Sequence, residues 1–283
     1  MSLTTRNAAR NGTTQAAGGS GGHEQGDRSQ PVLLKFGGSV LVGPERLADA
    51  AAEIRRVLQQ GRPVVAVVSA FKGRTDELLA RAWVASGGAE SFQGHALAQI
   101  SGQGELEAAA LLALALRSAG IEAEALTPQE IGLVAEGEPT SAEPRSVNGR
   151  VIEDWLAAGR VVVLPGFVAT TATGRPVTLG RGGSDLTAVF VGDAIGAEVR
   201  LVKDVGSVFE REPTSADGAG RAYGSLTWAD ALALPERAIQ PAATRLGAQL
   251  DRPFRFVGLG SDEGTLVGAD ATAFAGEVAV GVA

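Results

Sequence analysis

Five short runs rich in branched apolar residues, Val32–Phe36, Val64–Val68, Val161–Leu164, Val199–Val202 and Pro253–Val257, recur along the chain with helical patterns between them. A strand that is apolar at nearly every residue must be covered on both faces, and parallel sheets with crossover helices do this. The pattern predicts an α/β fold, a three-layer α/β/α sandwich around a mostly parallel central sheet. Pro44 opens a helix with Leu47, Ala51, Ile54 and Leu58 on one face, and Gly61 ends it. Arg74 or Thr75 starts another, broken at Gly87-Gly88, and the Ala- and Leu-rich stretch Leu106–Leu116 reads as a largely buried helix. Ser146, Ser184 and Thr227 are placed as helix caps, and Pro235 or Glu236 as a further helix start. Phe167–Thr171 and Pro176–Leu179 flank Thr173-Gly174 and read as a hairpin. Glu124–Leu126 reads as a short strand, and residues 127–146, with Pro128, Pro139 and Pro144, as irregular.

The 283 residues suffice for one large domain or two small lobes. Residues 1–30, rich in Gly, Ser, Asn, Gln and Thr, read as a disordered tail, with order beginning at Pro31. No apolar run reaches the roughly eighteen residues of a membrane span, and the tail lacks a signal core, so a cytoplasmic location is expected. Cysteine is absent, which excludes disulfides, thiolate metal sites and a cysteine nucleophile. With only His23 in the tail and His95 in an expected loop, neither a Ser-His-Asp triad nor a multi-histidine zinc site is expected. A formal charge of −7 argues against nucleic acid as a partner. An anionic ligand would have to be gathered by local cations and backbone N–H groups.

Three segments carry residues suited to that task. Lys35-Phe36-Gly37-Gly38-Ser39 follows a buried strand, where parallel sheets place ligands. The two glycines let the backbone approach a phosphate and Lys35 adds a compact charge; the plain alternative is a strand-to-helix turn. Gly180-Arg181-Gly182-Gly183-Ser184-Asp185 joins glycines, a guanidinium and a carboxylate at an expected helix start. Such a start favours anions, and Arg181 can grip a carboxylate through two parallel hydrogen bonds. In Val202-Lys203-Asp204-Val205-Gly206-Ser207-Val208-Phe209, an aspartate can bond a ribose and an aromatic can pack on a base; the alternative is an ordinary strand-end loop. The P-loop, dinucleotide and protein-kinase signatures are all missing.

In order along residues 31–280, these segments resemble the amino-acid kinase family, and within it the aspartokinases. Leu34-Lys35-Phe36-Gly37-Gly38-Ser39 is similar to the family's opening Lys-Phe-Gly-Gly-Thr-Ser. Val67-Val68-Ser69-Ala70 with Thr75-Asp76-Glu77-Leu78-Leu79 is similar to its second segment, and Gly104-Glu105-Leu106 to its Gly-Glu before a long helix. Thr178 through Ala188 is nearly the whole aspartokinase signature. Lys203 through Pro213 resembles the nucleotide loop, Arg237-Ala238-Ile239-Gln240-Pro241 stands where aspartokinases have Lys-Val-Leu-His-Pro, and Gly264-Thr265-Leu266-Val267 resembles the end of the catalytic domain.

The resemblance implies a carbamate-kinase-like fold over residues 31–283, with an amino-acid lobe at about 31–198 and a nucleotide lobe at about 199–275. It implies an ATP- and Mg2+-dependent kinase that phosphorylates the side-chain carboxylate of a small amino acid, aspartate foremost, and a homodimer. Lys35 would stabilise the transferring phosphoryl group, Gly37 and Gly38 would contact phosphates, and Ser39, Ser69 and Thr75 would help hold the amino acid. Glu105 and Asp185 would meet its ammonium, Asp185 would also orient Lys35, and Arg181 would bind a carboxylate. Lys203, Asp204 and Phe209 would line the adenosine side, and Arg237 would approach the ATP phosphates. No dedicated metal ligands are implied.

Several positions depart from the aspartokinase pattern. The Lys35–Val40 segment is one residue short, Phe209 stands for tyrosine, Arg237 for lysine and Gln240 for histidine. The stretches between Thr75 and Glu105 and over 127–160 are short for an aspartokinase. Residues 277–283 resemble the start of a regulatory ACT portion or form a last edge strand, and no ACT domain is expected within the chain. The departures keep two alternatives open, a kinase for another carboxylate acceptor and a non-catalytic ATP-binding regulator.

Overall fold

A computed structural model describes residues 30–87, 93–211 and 220–276. The expected tail through residue 29 and the 277–283 segment lie outside these residues, as do His23, Gly88 and Pro213.

The expected apolar runs form β1 (Val32–Phe36), β2 (Val64–Val68), β6 (Val161–Pro165), β9 (Glu198–Val202) and β11 (Phe254–Val257). With β3 (Ala123–Ala125), β10 (Tyr223–Leu226), β12 (Gly264–Val267) and β13 (Ala273–Phe274) they make one nine-stranded sheet, ordered β13-β10-β12-β11-β9-β1-β2-β6-β3. From β11 through β3 every pairing is parallel. The antiparallel pairs, β11–β12 and β10–β13, lie on the far side of β11.

Alternation across the strands divides the core in two. Leu33, Val65, Val67, Val162, Leu164, Val199 and Leu201 face one layer, packed with Ile152 and Leu156 of α5 (Gly149–Ala157) and Val189 and Val191 of α6 (Gly183–Ala194). Leu34, Phe36, Ala66, Val68 and Val163 face the other, against Ile54 and Val57 of α1 (Leu47–Gln59) and Ala108 and Leu112 of α4 (Gln103–Ser118). This is the three-layer sandwich that strands buried on both faces require. Helix α2 (Arg74–Ser86) starts beside the end of β2, α3 (Gly94–Ser101) packs on α2, and α7 (Trp228–Ala233) and α8 (Pro241–Leu250) cover the β11 side.

Local expectations fared unevenly. Thr227 caps α7 by accepting from the Asp230 N–H at 3.1 Å, and Gly87 ends α2 in the left-handed region. β7 (Val168–Thr170) and β8 (Pro176–Thr178) form the expected hairpin. Ser184 is no cap: α6 begins at Gly183, behind Gly182. Ser146 is no cap either, because it ends a strand and Asn148 precedes α5. Residues 127–146 are not wholly irregular. They contain β4 (Val134–Glu136) and β5 (Glu143–Ser146), which join β7 and β8 in a small sheet ordered β5-β4-β7-β8. Pro144 is tolerated because β5 is an edge strand and pairs only with β4. No helix starts at Pro235 or Glu236. Those residues form a turn, and α8 starts at Pro241, whose ring holds Gln240 extended (φ −76°, ψ 118°). His95 lies on α3, not in a loop, with Nδ1 2.9 Å from the Pro176 carbonyl.

Candidate active site

The register of the parallel strands levels their C-terminal ends. Phe36 stands beside Val68 and Val202, Val202 beside Val257, and Val68 beside Pro165. The residues that follow, Gly37, Ser69, Gly166 and Lys203, therefore emerge along one edge, where open α/β sheets bind ligands. Two adjoining pockets open there. The first, about 460 Å³, is lined by Lys35, Gly37, Gly38, Ser39, Ser69, Thr75, Glu105, Arg181, Asp185 and Lys203 among others. The second, about 280 Å³, is lined by Ser39, Lys203, Asp204, Phe209 and Arg237 among others. Every residue singled out in the sequence lines one of the two, and Ser39 and Lys203 line both.

Three helices turn their N-terminal ends toward the first pocket. Gly73 and Thr75 of α2, Glu105 in the first turn of α4, and Gly183 to Asp185 of α6 all line it. Unpaired amides and the helix dipoles make such a place favourable for anions. At the floor, Lys35 Nζ pairs with Asp185 Oδ1 at 2.5 Å, both side chains being buried. The face alternation that buries Leu33 against α6 sends Lys35, two residues on, toward the same helix. A Cβ added at Gly37 would stand 3.1 Å from Lys35 Nζ, so the amine lies against the glycine backbone.

Glu105 is nearly as buried, and its Oε2 has no hydrogen-bond partner. Burial pushes its carboxyl up to about 7, against the pull of the Ala70 amide, its own backbone amide and the charge of Lys35. Gly104 permits this placement, because a Cβ there would meet the Ala70 Cβ at 2.7 Å. Lys203 is held below the usual lysine range by burial, with Lys35 adding to the fall and Asp185 and Asp204 opposing it. Its Nζ lies 5.2 Å from the centre of the Phe256 ring. Arg181 is exposed and makes no ion pair among the described residues, so its fork is open to a ligand.

The structure adds residues to which the sequence reading gave no role at the site. Lys72, exposed and without an ion pair among the described residues, lines the first pocket. Phe167 also lines it at φ 67°, in a three-residue turn closed by Val168 N–H to the Gly166 carbonyl at 2.7 Å. That turn is rare and strained. Its signal was available, because Gly166-Phe167 follows a buried parallel strand. Gln240 reaches the pocket wall over Gly182, whose φ is 76° and whose added Cβ would stand 2.8 Å from Gln240 Oε1. Among the described residues no group of three acidic or imidazole side chains is placed to hold a metal ion.

Comparison with known proteins bears on the family and the fold. Residues 30–247 match the family model described as the amino acid kinase family. The aspartate kinase of Pseudomonas fluorescens (strain SBW25) is 31% identical over 228 residues, covering 79% of this chain and 55% of that protein. The solved aspartate kinase of Synechocystis superposes with a TM-score of 0.70 at 30% identity, covering 84% of this chain and 40% of that one. A UMP kinase from Bacillus anthracis, 21% identical, shares the fold at a TM-score of 0.60, with 87% of this chain and 98% of that one covered. The chain spans about half the length of the curated relatives it matches.

Proposed function

Because this chain belongs to the amino acid kinase family, we propose that it transfers the γ-phosphoryl group of ATP to the side-chain carboxylate of a small amino acid, aspartate first among them. The observation that carries this reading is the buried Lys35–Asp185 pair beside Lys203, which lines both pockets. The second pocket, with Asp204 for a ribose, Phe209 for a base and Arg237 for phosphate, takes the nucleotide. The first takes the acceptor. Arg181 binds its α-carboxylate, Glu105 and Asp185 face its ammonium, and Ser39, Ser69 and Thr75 contribute hydroxyls. Since a UMP kinase shares the fold, the acceptor is argued from these side chains and not from the architecture.

A carboxylate oxygen of the acceptor attacks the γ-phosphorus, an oxygen–phosphorus bond forms, the bond to the β-phosphate oxygen breaks, and ADP leaves with an acyl phosphate as the other product. The acceptor is its own nucleophile, so the protein's part is positioning and charge stabilisation. Lys35, with Gly37 and Gly38, meets the transferring phosphoryl oxygens, and Asp185 fixes the direction of the lysine amine. Lys203 adds a second cation where the pockets meet. An Mg2+ would be carried on phosphate oxygens and water, and that ion would supply further charge neutralisation when bound. A homodimer in the cytoplasm completes the proposal.

The test is hydroxylamine trapping of acyl phosphate with Mg-ATP and aspartate. No trapped product, together with no ADP release across a panel of amino-acid carboxylates, sinks it. Lys72 favours one second reading, an acceptor carrying a further anionic group near the rim. The same panel separates the two through the preferred acceptor.

A further inference from the structure

The nucleotide loop is built on a charge network that stands outside both pockets. The segment 258–263, between β11 and β12, is gripped by α1. Glu53, buried on that helix, accepts the Gly260 N–H at 2.8 Å and holds Arg56 through contacts of 2.7 and 3.1 Å. Arg56 then presents two parallel hydrogen bonds to Asp262, at 2.9 and 2.8 Å. Gln60 donates to the same carboxylate at 3.0 Å, and Arg200 of β9 pairs with it as well. A planar guanidinium seated between two carboxylates is a directional joint, stiffer than a lysine contact.

The far side of this segment touches the nucleotide loop with no side chain between. Gly206 sits at φ 69°, and a Cβ there would stand 3.0 Å from the Gly258 amide. A Cβ on Gly264 would stand 2.7 Å from the Gly206 carbonyl. Gly258, at the start of the segment, and Gly264, just past its end, are thus packed backbone to backbone against Gly206, in the middle of the loop that carries Lys203, Asp204 and Phe209. Close packing of this kind transmits a displacement instead of absorbing it.

We infer that Arg56 and Asp262 are positioning residues for the nucleotide pocket: their forked ion pair fixes segment 258–263, and its glycine contacts with Gly206 fix the loop that meets the nucleotide. The inference rests on the assignment of that pocket to ATP. It names neither residue as catalytic, since neither lines a pocket that holds a reacting group.

Asp262→Ala and Asp262→Asn, with Asp262→Glu as the conservative variant, test it in the whole chain. Direct titration with a non-hydrolysable ATP analogue is expected to show affinity about 3- to 30-fold weaker in Asp262→Ala, the range of couplings carried through packed networks. In steady state the KM for ATP rises while the KM for the acceptor stays within about twofold of wild type, a split that a general loss of packing does not produce. Asp262→Glu recovers part of the affinity. In the free protein, amide exchange quickens across 203–209 and is unchanged at the start of α4. Wild-type affinity in Asp262→Ala overturns the inference alone, as does a parallel loss of nucleotide and acceptor affinity that tracks a fall in melting temperature. Wild-type protein with no affinity for the analogue overturns this inference and the kinase reading together.

Discussion

Replacing Glu105 by glutamine separates what the buried carboxyl costs the empty protein from what it does for a ligand. In the folded chain the group is raised from the ordinary 4.5 to about 7. An acid raised on folding contributes stability in full below its unfolded value, and that contribution is lost as pH rises through the folded value. Relative to its protonated form, the empty wild type therefore loses up to about 3 kcal/mol between pH 4.5 and pH 7, at 1.36 kcal/mol per tenfold change in acidity. Glutamine removes that slope. It keeps an oxygen for the Ala70 amide and leaves an amide nitrogen in place of Oε2, which has no hydrogen-bond partner, at a cost of about 1 kcal/mol. The net expectation is a gain of about 2 kcal/mol at pH 8, or about 4–8 °C in melting temperature. At pH 5, where the wild-type carboxyl is already protonated, no gain is expected. Differential scanning fluorimetry of both proteins from pH 5 to pH 8 reads this directly. In the same variant the proposed function predicts a KM for the acceptor at least about tenfold higher with the ATP KM unchanged, because a neutral amide would replace the charge proposed to face the ammonium. A variant that melts below wild type at pH 8, or two proteins with the same pH slope, would refute the account of Glu105.

Other consequences are as open to measurement. Lys35→Met should cut kcat by at least about a hundredfold and also destabilise the fold by about 3–5 kcal/mol, because Asp185 is left buried and unpaired. Lys35→Met with Asp185→Asn should recover most of that stability and none of the turnover, as denaturant melts and ADP release will show. Gly182→Ala should cost about 1–3 kcal/mol, and adding Gln240→Ala should return little of it, since the Cβ at 240 would still stand 2.9 Å from the new one and φ 76° remains. Thr227→Ala should lower stability by about 1 kcal/mol in the same melts, with no change in either KM, as the loss of a helix cap that lines neither pocket.

The layers were legible because apolarity at every strand residue permits few arrangements. Val64–Val68 and Val161–Pro165 could only be strands covered twice. The gathering of the candidate residues at one edge was legible for a related reason: Gly37, Lys203 and the Gly180–Asp185 loop follow, or lead into, elements whose type was plain. The residues not foreseen are those whose place depends on contacts distant in sequence. Lys72 and Gln240 reach the first pocket through loops whose course the sequence pattern does not fix, and Phe167 adopts its positive φ in a turn next to Gly166, which is bonded to Val68 across the sheet. The misplaced caps have different causes: Ser146 ends an edge strand, and Asn148 takes the place before α5. Serine is a good cap in isolation, but at α6 the turn needs a left-handed residue, and Gly182 supplies it. The β4–β5 pair escaped notice because prolines argue against strands in general and not against an edge.

Lys203 belongs to both pockets, and that joint membership has a thermodynamic consequence. A buried amine held below its usual range binds its proton less firmly than a free one. An anion in either pocket would draw on the same charge, so the two occupants are linked through Lys203. Two ligands that share one cation in this way do not bind independently. Whatever the first contributes to the second, the second contributes to the first in equal measure. On the proposed reading, the affinity for ATP measured with and without the acceptor would change by the same factor as the affinity for the acceptor measured with and without ATP.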